Sequence, residues 1–173
     1  MASVTLIPVS EYLRTTYRPD RDYLEGELKE RNMGEQPHAL VQGLLYFIFR
    51  RNREEWGVRP LPEQRIQVTP ERFRIPDITV LRNSDPLDPI VTFSPLVCIE
   101  VLSKDDTLGE LQERVNDYAA MGVDDIWAFD PWKRIAYSCS VRGFQQPEDG
   151  FLRVVGTPIA VELKEVFAEL DHA

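Results

Sequence analysis

A chain of 173 residues, with 43% hydrophobic and 28% charged side chains, has the length and composition of one globular domain and not of a disordered segment. Its net charge of −9 argues against an affinity for nucleic acid built on a basic surface, because neutralising phosphates takes surplus Lys and Arg. No apolar run approaches bilayer length, and MASVTLIPVSEYLR lacks a basic stretch followed by an apolar one. Neither a membrane span nor a signal peptide is therefore expected, and the expected location is cytoplasmic.

In chain order, residues 1–22 read as an irregular or partly helical lead-in stopped by Pro19. YLEGELKER (23–31) alternates as a short strand, with Leu24, Gly26 and Leu28 on one side and Glu25 and Glu27 on the other. Gly34 and Pro37 break the chain before an apolar helix, HALVQGLLYFIFRRNREEWG, whose stripe is Leu40, Leu44, Phe47 and Ile48 and whose stop is Gly57. The breadth of its apolar surface predicts cover on more than one side, by a second subunit in a homodimer. Strands are expected at 58–68, 73–81 and 95–103, the last two separated by the Pro- and Asp-rich loop 83–90.

LGELQERVNDYAAMG (108–122) predicts a second amphipathic helix with Leu108, Leu111, Val115, Tyr118 and Ala119 on one face. IWAFD (126–130) and RIAYSCSV (134–141) read as a hairpin turning at Pro131, followed by a strand near 151–155 and a helix near 162–170. This order predicts an α/β domain, a mixed sheet flanked by helices. Cys98 and Cys139 sit in apolar runs with no CxxC pair, and His38 and His172 give no zinc spacing; both read as reduced core thiols. Arg50, Arg51 and Arg53 form a basic cluster at a helix end, where cations favour the dipole and water.

The chemistry-bearing candidates are two carboxylates. Asp77 follows Pro76 among Ile75, Ile78 and Val80, and Glu100 lies inside PLVCIEVLS. A carboxylate on an apolar strand is costly unless paired or metal-bound. Adjacent strands lie about 4.8 Å apart, so both side chains reach one Mg²⁺, which needs only one or two carboxylates beside waters and phosphate.

Four blocks, YRPDRDYLEGELKERNMGEQPH, LPEQRIQVTPERFRIPDITVL, CIEVLSKDDT and YAAMGVDDIWAFDP, resemble the successive blocks of the Uma family of restriction-endonuclease-like proteins, a branch of the PD-(D/E)XK nuclease-like superfamily. The likeness runs from about Tyr17 to about Val141, with an N-terminal lead-in and a C-terminal strand and helix beyond it. It implies a restriction-endonuclease-like core spanning 1–173 as one domain, in which Asp77 and Glu100 are metal-binding carboxylates. Glu27 of EGEL would be a third ligand or a carboxylate behind the ligands, and His38 would contact phosphate or metal at the start of the first helix. A local hydrogen bond at the helix start is the equal alternative for His38.

The superfamily pattern asks for a Lys two residues after the acidic one, and this chain has Leu102 there. The family's helical Lys aligns with Arg114, which shares a stripe with Glu110 and Tyr118 at i, i+4 and i+8. Arg114 suits phosphate binding and charge stabilisation but is a poor general base, leaving bulk solvent or Glu27 to take the proton. Pairing with Glu110 or Glu113 is the structural alternative for Arg114. Lys104 in SKDD reads as exposed, and Gln64 as only marginally within reach. The expectation is a Mg²⁺- or Mn²⁺-dependent endonuclease acting on DNA, with an inactive nuclease-fold binding or assembly module as the alternative, and hydrolysis of another phosphate ester behind both.

Overall fold

The computed structural model describes residues 5–32 and 34–172 of the chain, so the first four residues of the lead-in lie outside the described residues. The elements run α1 (Val9–Arg14), β1 (Arg21–Leu24), β2 (Glu27–Glu30), α2 (Gln36–Arg51), α3 (Arg53–Trp56), β3 (Val58–Pro62), β4 (Ile66–Thr69), β5 (Arg72–Arg74), β6 (Ile78–Arg82) and β7 (Val97–Val101). There follow α4 (Leu108–Ala120), β8 (Asp125–Asp130), β9 (Ile135–Ser140), β10 (Gly143–Gln145), β11 (Phe151–Arg153), β12 (Ala160–Glu162), α5 (Leu163–Ala168) and a closing 3₁₀ turn, Glu169–Asp171. No helix among the described residues is long and apolar enough to cross a membrane.

Three predicted strands each turn out to be two elements. The run 23–31 is the β1–β2 hairpin, because Glu25 (φ 46°) and Gly26 (φ 97°) take left-handed backbone that reverses the chain. The run 58–68 breaks at Glu63 (φ 49°) into β3 and β4, and 73–81 breaks at Ile75–Pro76–Asp77 into β5 and β6. Proline offers no backbone donor to a ladder, which fits a crossing between two sheets at Pro76. The first long helix is α2 and α3 with Asn52 between them, its side-chain amide donating to the Ile48 carbonyl at 2.9 Å.

The larger sheet has the order β10-β9-β8-β7-β6-β3, antiparallel except for the parallel β7–β8 pair that α4 crosses over to make. The smaller, antiparallel sheet has the order β2-β1-β5-β4, and β11 and β12 form a separate hairpin. Along β7, side chains alternate between faces. Val97, Ile99 and Val101 pack on one side with α2 residues Val41, Leu45, Ile48 and Phe49 and α5 residues Val166 and Phe167. Cys98 and Leu102 point the other way, with α4 residues Leu111, Val115 and Tyr118. Of the expected α2 stripe Ile48 is buried, but the rest is rotated by one position: Val41 and Leu45 are buried where Leu40 and Leu44 are half-buried, and Phe47 is 53% exposed beneath Arg51. On α4, Leu108 likewise faces water.

A third cluster of Tyr12, Tyr23 and Phe73 fastens α1 to the smaller sheet. Cys98 and Cys139 are buried and unpaired, and the arginines at the end of α2 are exposed or paired outward, Arg51 with Glu165 at 2.8 Å.

Candidate active site

β6 and β7 pair antiparallel with Ile78 opposite Ile99 and Thr79 opposite Cys98. Continued by one residue, that register sets Asp77 opposite Glu100, and both fall on the α4 face of the sheet by the alternation of side chains. Both are nearly sealed, Asp77 at 2% and Glu100 at 4% exposure, at the floor of a cavity of about 390 Å³. The two-carboxylate pairing expected from the apolar strands is thus brought together by strand register.

Asp77 is held from three directions. Its Oδ2 accepts from the Val101 backbone N–H at 2.7 Å and lies 3.5 Å from His38 Nε2, while Oδ1 accepts from Arg31 Nη2. Its own carbonyl accepts from the Gln42 amide at 3.2 Å and the Glu63 N–H at 3.0 Å, fixing the backbone. Burial opposes its ionisation, but His38, Arg31 and the Val101 N–H outweigh that and hold the carboxyl below the usual range. For His38, burial opposes the charged ring, yet the Asp77 carboxylate raises its pKa above the ordinary value.

Glu100 has the opposite character. Burial pushes its carboxyl up to about 7; Arg114 opposes the rise, Asp77 adds to it, and the Tyr118 hydroxyl, which donates to Oε1, counters it. Arg114 Nε stands 3.4 Å from Glu100 Oε2 without a hydrogen bond of its own, and its Nη2 donates to Asp106 Oδ1 at 3.0 Å. Asp106 is fixed in turn by the Ser103 N–H (2.8 Å) and hydroxyl (3.0 Å). Helix α4 arrives in register because Thr107 and Glu110 form a reciprocal capping box at its start.

Four of the five residues expected at the site, Asp77, Glu100, Arg114 and His38, line this cavity. Glu27 does not: it is exposed at the start of β2, because the hairpin turns there and carries it away from the cavity. The ligand or base position proposed for Glu27 is therefore not where the structure puts it. Arg114 pairs with Asp106 and Glu100 rather than Glu110 or Glu113, which serve the helix cap and Arg74. Leu102, where a lysine was expected, is buried against α4, and the Arg114 guanidinium supplies the cation beside Glu100. Lys104 is exposed and pairs with Glu35, and Gln64 donates to the Arg65 and Pro89 carbonyls away from the cavity.

The sequence reading missed Arg31, Asp106 and Arg74. Arg31 and Asp106 sit in polar stretches, KERN and SKDD, that look like solvated loops. Arg74 is only 1% exposed, which its neighbours in FRIPD foreshadow, and it is gripped by Asp22, Glu113 and Asp117. The cavity lining carries eight carboxylates against Lys29, Arg31, Arg74, Arg114 and His38, so it is acidic overall. Among the described residues no group of three or more His, Cys, Asp or Glu is placed to hold a metal ion. The donor set that fits a divalent cation is the Asp77–Glu100 pair, two carboxylates that repel each other on one cavity floor, and Mg²⁺ characteristically takes one or two carboxylates and fills its shell with water or phosphate oxygens.

The family model Uma2, described as "Putative restriction endonuclease", matches residues 9–171. The chain belongs to the Uma2 family. Among solved structures, this Uma2 chain is similar to one from Anabaena variabilis described as "a putative nuclease belonging to DUF820", with a TM-score of 0.79, 19% identity, and coverage of 95% of this chain and 99% of that one. That likeness establishes a shared restriction-endonuclease-like fold over nearly the whole length. No curated protein matches the chain.

Proposed function

We propose that this Uma2 protein hydrolyses phosphodiester bonds of DNA at the cavity floored by Asp77 and Glu100, with Mg²⁺ or Mn²⁺ as its cofactor. The observation that carries the reading is the paired carboxylates: one is held ionised, the other is raised to about 7 by burial beside it, and both share one cavity with Arg114 and His38. Asp77 and Glu100 would hold the cation, which when bound supplies an acidified water and neutralises charge on the phosphate.

The chain's own residues do the rest. Asp77 is kept ionised by His38 and Arg31 together with the Val101 N–H, and that backbone donor orients it independently of any ligand. Tyr118 fixes the rotamer of Glu100 from α4. Arg114, anchored by Asp106, stands beside Glu100 as a fixed positive charge for a phosphate oxygen. His38 holds a proton next to Asp77 at the cavity wall.

A second reading, a module that keeps the fold without cutting, is favoured by one feature: each carboxylate already faces a guanidinium. Cleavage of supercoiled and linear DNA separates the two. Metal-dependent cutting that disappears in Asp77→Asn and Glu100→Gln establishes the nuclease. Absence of cutting with both metals, together with no heat of Mn²⁺ binding, establishes the module.

A further inference from the structure

The four Lys and Arg side chains of the cavity are not equally anchored. Arg74 is buried and spans three carboxylates, Asp22, Glu113 and Asp117. Arg114 is tied to Asp106 at 3.0 Å, and Lys29 lies between Glu110 (3.6 Å) and Glu113 (3.9 Å). Arg31 stands in the segment joining β2 to α2, and its only side-chain hydrogen bond among the described residues goes to Asp77 Oδ1. Its next nearest anion, Glu63, is 3.9 Å away and half exposed, and the Arg31 side chain is itself 21% exposed at the cavity.

Asp77 has no comparable second choice. Its Oδ2 is committed to the Val101 N–H and faces His38, so Oδ1, where Arg31 sits, is the oxygen open to the cavity. A divalent cation approaching Asp77 therefore meets the guanidinium first, and two cations cannot share one carboxylate oxygen without strong repulsion. The stem of Arg31 is long enough to swing aside while its planar fork stays nearby, and that fork matches phosphate oxygens.

Building on the phosphodiesterase reading, we infer that Arg31 is the counter-ion of the metal-free site: it exchanges with the divalent cation at Asp77 Oδ1, and the released guanidinium binds a non-bridging oxygen of the substrate phosphate. This exchange explains how an acidic cavity stays neutral enough to keep Asp77 buried and ionised before metal arrives. It also supplies a mobile positive charge where the polyanion must enter.

The test is calorimetric titration of Mn²⁺ into the full chain at one fixed pH, comparing wild type with Arg31→Gln, Arg31→Lys and Asp77→Asn, each checked for fold by circular dichroism. Releasing a charge-assisted hydrogen bond from Oδ1 should tighten Mn²⁺ binding by about tenfold or more in Arg31→Gln, with Arg31→Lys between it and wild type. Binding of a short DNA duplex in Ca²⁺ should weaken in Arg31→Gln, and the slope of log affinity against log salt should shrink by about one phosphate contact. If Asp77→Asn abolishes Mn²⁺ binding but Arg31→Gln leaves it unchanged or weaker, the exchange is wrong while the metal site stands. An unchanged salt slope removes the phosphate contact. Mn²⁺ binding that is absent from wild type as well as the variants, or indifferent to Asp77→Asn, removes both the metal site and the exchange.

Discussion

The Nε of Arg74 donates to Oδ2 of Asp117 at 2.6 Å, in a place where the arginine is 1% and the aspartate 9% exposed. The same guanidinium reaches Asp22 on β1 at 3.0 Å and Glu113 on α4 at 2.9 Å, and Arg72 closes on Asp117 with a further contact at 2.8 Å. Glu113 and Asp117 face this cluster, whereas Arg114 and Tyr118, next to them in sequence, face Glu100. The rotation of α4 that aims two side chains at Glu100 is therefore set from the opposite flank by Arg74.

Removing that guanidinium should be among the costliest single changes in the chain. Arg74→Met takes the paired cation from Asp22 and leaves Asp117 to Arg72 (2.8 Å) and Glu113 to Arg72 (3.7 Å) and Lys29 (3.9 Å), and breaking a buried pair from one side costs about 3–5 kcal/mol. Arg74→Lys should also fail to restore stability, since one ammonium cannot replace a fork spanning three partners. Urea unfolding reads both; a loss below about 1 kcal/mol for Arg74→Met would contradict the assignment.

Helix α2 gives a sharper test of packing. Phe49 is fully buried, 5.3 Å from the Trp56 ring and 6.1 Å from that of Trp127, while Phe47 two residues earlier is 53% exposed. Phe49→Ala should cost about 3–5 kcal/mol. Phe47→Ala should stay within about 0.5 kcal/mol, as surface changes do. Equal losses at the two positions in denaturant unfolding would mean that Phe47 is covered, as a homodimer through this helix would make it.

These two helices also show what a sequence discloses. The strand Val97–Val101 and the helix Leu108–Ala120 were legible inside the runs 95–103 and 108–122, the first from an apolar run and the second from its helical apolar period. Asp77 and Glu100 were legible because a carboxylate stands out in an apolar strand. The face of α2 was not, since apolar residues nearly surround it and a helical period cannot choose among adjacent stripes. Glu27 was assigned to the site by the resemblance of EGEL alone; the left-handed turn at Glu25–Gly26, read as strand interior, makes two strands of one and leaves Glu27 exposed. Arg31, Arg74 and Asp106 act through partners 46, 43 and 8 positions away, which no local pattern encodes.

Glu100 should give the chain a distinctive pH dependence. Its folded pKa of about 7 lies above the ordinary 4.5, so its contribution to stability is fully present below pH 4.5 and is lost as pH rises to about 7. The loss is on the order of 3 kcal/mol. His38, also raised above its ordinary 6.5, acts in the same sense but only at higher pH. Urea midpoints measured from pH 5 to 8 should therefore fall more steeply for wild type than for Glu100→Gln, which keeps only the later His38 part. Parallel curves would show that Glu100 ionises normally in the fold.

The division of labour between Arg114 and Glu27 is the last point the geometry decides. Arg114 lies 3.4 Å from Glu100 and is anchored by Asp106, so on the phosphodiesterase reading Arg114→Met should lower the cleavage rate about 100- to 1,000-fold, the usual effect of deleting a preorganised charge donor. Arg114→Lys should recover part of the rate, because a point charge remains while the contact to Asp106 that aims it is altered. Glu27→Gln should cut DNA at close to the wild-type rate, since the side chain is exposed on β2 and does not line the cavity. Initial rates on one DNA substrate at saturating Mn²⁺ compare all three. A large defect in Glu27→Gln would require β2 to swing its start toward Asp77 when substrate binds, and an unaffected Arg114→Met would move the charge-stabilising role from α4 to Arg31.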